Sequence, residues 1–133
     1  MNVYEIGSIR TNNFTADMGE KIGGLWQQVM PDIQGIAPIY AIYHEYESNY
    51  TGDYTLSLAV EPAKSENILE LDEGQYRIFP VEQTPEDPSR NNVAETWQKI
   101  WQLEESGSLN RRYEKDYEKY AADGTVAIHI GIN

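Results

Sequence analysis

The chain of 133 residues has no cysteine. That excludes a disulfide framework, a thiolate nucleophile and any cysteine-based zinc site. Positive charge is scarce: 10 lysines and arginines face 22 aspartates and glutamates, a formal charge of −12. A nucleic-acid module needs a basic face to displace phosphate counterions, so direct nucleic-acid binding is not expected. Long apolar runs are missing; nothing approaches the ~18 residues of a membrane span. Met1–Arg10 lacks a basic start followed by an apolar run, so no signal peptide is expected and the cytoplasm is the default compartment. Histidine occurs only as His44 and His129, and neither belongs to a His-Glu-x-x-His or Gly-x-Ser-x-Gly pattern. A Gly-x-x-x-x-Gly-Lys phosphate loop and an Asp-x-Asp-x-Asp run ending in Glu are also lacking. No cofactor or metal is therefore expected.

What is present is tyrosine: 10 Tyr with 3 Trp and 2 Phe in an acidic chain. The apolar fraction of 40% and charged fraction of 24% are those of a globular domain rather than a disordered segment. The length suits one domain spanning 1–133.

Periodicity supplies the elements. Asn2–Arg10 reads as a strand with imperfect alternation. Met18, Ile22, Leu25, Trp26 and Val29 fall on one helical face, and Pro31 is expected to end that helix. Strands follow over 36–48 and Tyr54–Glu61, then a polar connector over Pro62–Glu73 and a strand over Gln75–Val81. Pro85 and Pro88 mark a loop. Asn92 and Glu95 resemble a capping box opening a helix to about Glu104, with Val93, Trp97, Ile100 and Trp101 on one face. Arg112–Ala121 and Val126–Ile132 close the chain as strands, the last alternating most cleanly.

The order strand, helix, strand, strand thus occurs twice. Trp26-Gln27-Gln28-Val29 matches Trp97-Gln98-Lys99-Ile100, and Tyr46-Glu47 matches Tyr117-Glu118, at the same separation; Leu56, Leu58 and Val60 match Ile128, Ile130 and Ile132 one residue further on. The expectation is an α+β fold with pseudo-repeats over about 1–62 and 73–133 and a connector over 63–72. Its antiparallel sheet carries both helices on one face and a central ligand cleft along the pseudo-twofold axis. Gly23-Gly24 would let the first helix approach its sheet closely, while the second stands off and leaves room for a pocket.

Two readings stay open for the aromatic and acidic residues. Tyr40, Tyr43, Tyr46 and Tyr50 with Glu47, and Tyr113, Tyr117 and Tyr120 with Glu118, are either a cation site or solvated acids with tyrosines covering the sheet edge. Trp97 and Trp101, four residues apart on one helix face, are either core or a ligand wall. Aromatic faces attract cations, and a buried carboxylate requires a partner that a ligand could supply.

The run Tyr40-Ala41-Ile42-Tyr43-His44-Glu45-Tyr46-Glu47-Ser48-Asn49-Tyr50-Thr51-Gly52-Asp53-Tyr54 resembles the signature of the GyrI-like small-molecule-binding domains, the effector-binding domains of AraC-type and multidrug-responsive bacterial activators. Asp116-Tyr117-Glu118-Lys119-Tyr120 resembles that family's second signature, and Glu95–Ile100 its second helix. The resemblance spans essentially the whole chain. It implies a duplicated fold whose cleft takes lipophilic cations, with Glu118 facing the ligand. Stand-alone members are found on mobile gene cassettes; acting in transcription, such a module needs a partner regulator that binds DNA.

The resulting expectation is a non-enzymatic module for hydrophobic organic cations, a sensor or sequestering domain. Trp97, Trp101, Tyr46, Phe79 and Tyr117 supply ring faces, Glu118 the counter-charge and Glu47 a second candidate acid. The alternatives are a small hydrolase with Glu118 as general base, and a protein-interaction module that modulates a partner enzyme.

Overall fold

A computed structural model describes residues 1–71, 74–81 and 93–133. The expected Pro85/Pro88 loop and the cap acceptor Asn92 lie outside the described residues. The elements are β1 (Asn2–Asn12), α1 (Met18–Ile33), β2 (Ile39–His44), β3 (Asp53–Val60), β4 (Ile68–Glu70), β5 (Tyr76–Val81), α2 (Val93–Glu105), β6 (Lys115–Tyr120) and β7 (Val126–Gly131). They build an α+β fold. One seven-stranded sheet has the order β4-β1-β3-β2-β6-β7-β5, and every described pairing is antiparallel.

Chain length forces that sheet to curl. β4 lies at one edge and β5 at the other, yet only residues 71–75 join them. Extended chain bridges roughly 20 Å over that distance. A flat sheet of seven strands would be roughly 29 Å wide. The curl gathers Val3, Tyr40, Ile42, Ala59, Leu71 and Tyr117 into a core on the face away from the helices. Lys115 Nζ ties β6 to the far edge by donating to the Glu70 carbonyl at 2.7 Å.

The other face carries both helices. Ala41 pairs with Glu118, and Glu118 pairs with Ile128, so these three side chains share a face. Ala41 lies in the core beneath α1, and Ile128 in the core beneath α2. α1 carries two apolar stripes at four-residue spacing, and α2 carries one, Val93, Trp97 and Trp101, beside the buried pair Thr96 and Ile100. In α1, Leu25, Val29 and Ile33 are buried in the core while Met18, Ile22 and Trp26 border an open space. In α2, Thr96, Trp97 and Ile100 are buried, and Val93, Trp97 and Trp101 border that same space.

Several expectations are corrected. Pro31 does not end the first helix, which runs on to Ile33. A proline in the last turn removes one backbone donor, and buried Ile33, four residues after Val29, extends the core stripe by another turn. The polar connector contains the short strand β4 and the buried Leu71. The imperfect alternation of β1 arises from a bulge between Glu5 and Gly7, which places Val3 in one core and packs Ile9 against the other. The close approach of α1 does not come from Gly23-Gly24, where an added Cβ would meet nothing within 4 Å. It comes from Gly7 on β1, where a Cβ would stand 2.9 Å from both Leu25 Cδ1 and Val29 Cγ1.

Candidate functional site

The space between the helices is a cleft of about 550 Å³ above the central strands. That volume lies in the range of small-molecule sites. Met18, Ile22 and Trp26 form one wall and Trp97 and Trp101 the other; Tyr43, Tyr54, Glu118 and Tyr120 supply the floor. Tyr50 closes one end, stacked on Trp101 with centroids 5.3 Å apart, and the exposed Phe14 tilts against both rings.

Glu118 is the central polar feature. It is only 3% exposed. Its Oε2 accepts the Trp97 indole N–H at 2.7 Å and the Tyr43 hydroxyl at 2.8 Å; its Oε1 accepts the Tyr120 hydroxyl at 2.6 Å. All three donors are neutral, and Glu118 takes part in no ion pair among the described residues. Burial raises its pKa above the usual carboxylate range, and the three hydrogen bonds offset only part of that rise. Its charge reacts back on the floor: burial foremost, then Glu118, drives the Tyr43 and Tyr120 hydroxyls well above their ordinary pKa, so both stay protonated and act as donors.

Among the described residues, the one arginine bordering the cleft has its charge matched, while its buried Nε has no hydrogen-bond partner there. Arg111 donates to Asp116 Oδ2 at 2.7 Å and to Glu104 Oε1 at 3.3 Å, with its guanidinium over the Tyr113 ring at 4.2 Å. Asp116 is fully buried and also accepts the Tyr46 hydroxyl at 2.6 Å and the Gly131 amide at 2.8 Å. This knot fixes Tyr46 and the start of β6 in place. Elsewhere on the cleft lining, the Tyr54 hydroxyl and the Trp101 indole N–H are buried without a hydrogen-bond partner among the described residues, an uncommon state for buried donors.

Of the residues expected from sequence, the structure brings Glu118, Trp97, Trp101 and Tyr46 together at the cleft. Three others lie elsewhere. Tyr117 neighbours Glu118 on a strand, so alternation sends it through the sheet, where it stacks on His129 at 4.5 Å and packs against Tyr40. Phe79 shares the helix face but pairs with Ile128 and packs in the core beneath α2, under the Arg77 guanidinium. Glu47 is exposed in the loop after β2. The pairing of Tyr46-Glu47 with Tyr117-Glu118 therefore matches a loop to mid-strand, and Glu47 does not stand where Glu118 does. Tyr43 and Tyr120 stood in the tyrosine-rich segments but not among the expected site residues, and Arg111 was not singled out from sequence. Tyr120 follows from period 2 starting at Glu118, and Tyr43 from the antiparallel pairing of the two central strands. No sequence signal separates the buried Arg111 from its neighbour Arg112.

No family model and no curated protein matches this chain. Among solved structures, an integron cassette protein from the mobile metagenome of Vibrio cholerae superposes on all of this chain and 90% of its own, with TM-score 0.79 and 24% identity. That likeness shows a shared fold. Among the described residues, no helix is long and apolar enough to cross a membrane.

Proposed function

We propose that this chain is a non-enzymatic binding module for small hydrophobic organic cations, with Glu118 as the counter-charge. One observation carries the reading: a buried carboxylate held by three neutral donors, with no cationic side chain among the described residues paired to it, at the floor of an aromatic cleft. An unpaired buried charge is costly, and a ligand cation is the partner that would relieve it. A carboxylate has about four acceptor sites. Three are occupied here, which leaves one direction for an ammonium or an electron-poor ring. Trp97, Tyr43 and Trp26 border the space such a cation would enter, and each ring face adds roughly 0.5–2 kcal/mol.

The same reading takes the fold as a tandem duplication of the GyrI-like kind. Its support is the strand order, symmetric about the β2–β6 pair once β4 is set aside, and the matching cleft-facing stripes of the two helices, Met18, Ile22 and Trp26 against Val93, Trp97 and Trp101. The structural likeness to a cassette-encoded protein fits a stand-alone module on mobile DNA. Such a module would sequester the cation or pass its signal to a separate DNA-binding partner.

Glu118→Gln tests the counter-charge. Glutamine keeps the shape, accepts from Trp97 and Tyr43 through its oxygen, and offers its amide to the Tyr120 oxygen. Titration with a rhodamine-type cationic dye should show a loss of about 1–3 kcal/mol, as for a buried charge-assisted contact. A neutral dye of the same shape should lose much less. Equal losses for both dyes would remove Glu118 from this role.

A further inference from the structure

A second recess adjoins the cleft. It has a volume of about 510 Å³ and is formed by Trp26, Met30, Ile33, Ile36, Ile39 and Tyr120 together with Gln34 and Gly35, none of them charged. Trp26 and Tyr120 border both spaces and meet edge to face at 5.2 Å. The Tyr120 hydroxyl ends on Glu118 Oε1 at 2.6 Å while its ring walls the recess. The buried carboxylate and the apolar recess are thus one phenol ring apart. Met30, at the recess, is 48% exposed, one of the few large apolar side chains left open to water.

We propose that this recess is a tail subsite, and that the preferred ligand is an amphiphilic cation: a cationic head at Glu118 with an alkyl or aryl extension crossing the Trp26–Tyr120 contact onto Met30, Ile33 and Ile36. The inference rests on the cation reading of the cleft and adds to it. Charge complementarity fixes the head at Glu118. The recess offers no charged group, so only burial of apolar surface can hold what enters it. Gln34 and the backbone around Gly35 lie at its solvent side, so the far end of a long extension returns to water. The ligand is therefore polar at its head and tolerant of length at its tail.

The probes are alkyltrimethylammonium ions with methyl, butyl, octyl and dodecyl chains, used below micelle-forming concentrations and read by displacement of the cationic dye. Complete burial of one methylene strengthens binding about fourfold, and a groove open on one side about twofold. Between butyl and octyl, affinity for the wild-type chain should rise by roughly tenfold or more, then level off toward dodecyl. Met30→Gln alters an exposed side chain, so folding is unaffected and melting checks this. Combined with Ile36→Thr, it should flatten the rise by at least half while leaving the methyl and butyl ions and the dye unchanged. Glu118→Gln should lower the whole series by a common factor and keep the slope. A flat wild-type series, or a slope that survives the double substitution, overturns the tail subsite and leaves the cation site standing. Failure of the dye and of every ammonium ion to bind overturns both.

Discussion

At the scale of single residues, the proposed cation site makes Glu118 act on stability and on binding in opposite directions. Burial raises its pKa, so the native chain holds that proton more readily than the unfolded chain does. The stability this lends is fully present below the ordinary carboxylate pKa and is lost as pH rises through the raised native value. Glu118→Gln should therefore be more stable than the wild type at neutral pH, by about 1 kcal/mol, with the gap closing under acid. Urea denaturation at several pH values checks this; a variant less stable at neutral pH would mean the carboxylate is fully compensated without ligand. Binding runs the other way, because a cation needs the ionised form. Dye affinity of the wild type should fall as pH drops toward the raised native value, starting at higher pH than an ordinary exposed carboxylate would give. The same titration on Glu118→Gln should be flat. A parallel fall in both would point to another group, His44 first, since burial lowers its pKa and acid must charge it against that preference.

At the scale of elements, the fold depends on one glycine more than on a pair of them. A Cβ at Gly7 would press into Leu25 and Val29 at 2.9 Å, and α1 would have to lift. Gly7→Ala should lower stability by about 1–3 kcal/mol, the usual range for overpacking. Gly23→Ala meets open space in a helix interior and should raise stability by up to ~1 kcal/mol. Chemical denaturation of the two variants should move the midpoint in opposite directions; a neutral Gly7→Ala would show that the helix–sheet contact yields freely. Element type and order were legible in the sequence because period 3.6 and period 2 are strong over Met18–Val29, Tyr54–Val60 and Val126–Ile132. The antiparallel α+β class follows from that order. What stayed hidden has a physical reason in each case. A bulge shifts phase without changing composition, so β1 read as an imperfect strand. β4 is three residues long, too short for any period to emerge. Four of the seven expected site residues reach the cleft. Tyr117 misses it because a strand cannot aim neighbouring side chains at one face, a constraint the sequence did contain. Arg111 was beyond reach, because its burial depends on how the loop between α2 and β6 folds Glu104 and Asp116 back onto it, a geometry that no residue pattern spells out.

At the scale of the whole molecule, the charge of −12 and the buried Glu118 carboxylate act at different ranges and can be separated kinetically. Most of the 22 acids face water, where their field extends about a Debye length, roughly 8 Å at physiological salt. That field raises the local concentration of cations and hastens encounter, but it contributes little once the ligand sits inside. Glu118 is enclosed and short-ranged, so salt hardly screens it. Two stopped-flow outcomes follow for the cationic dye. Raising ionic strength from about 0.05 to 0.5 M should slow association several-fold and leave dissociation nearly unchanged. Glu118→Gln should do the reverse, speeding dissociation by roughly tenfold or more with little change in association. If salt acted mainly on dissociation, the cation would be held by the exposed acidic surface rather than inside the cleft. If Glu118→Gln slowed association instead, the carboxylate would be acting at the mouth, against the burial and the three donors that place it on the floor.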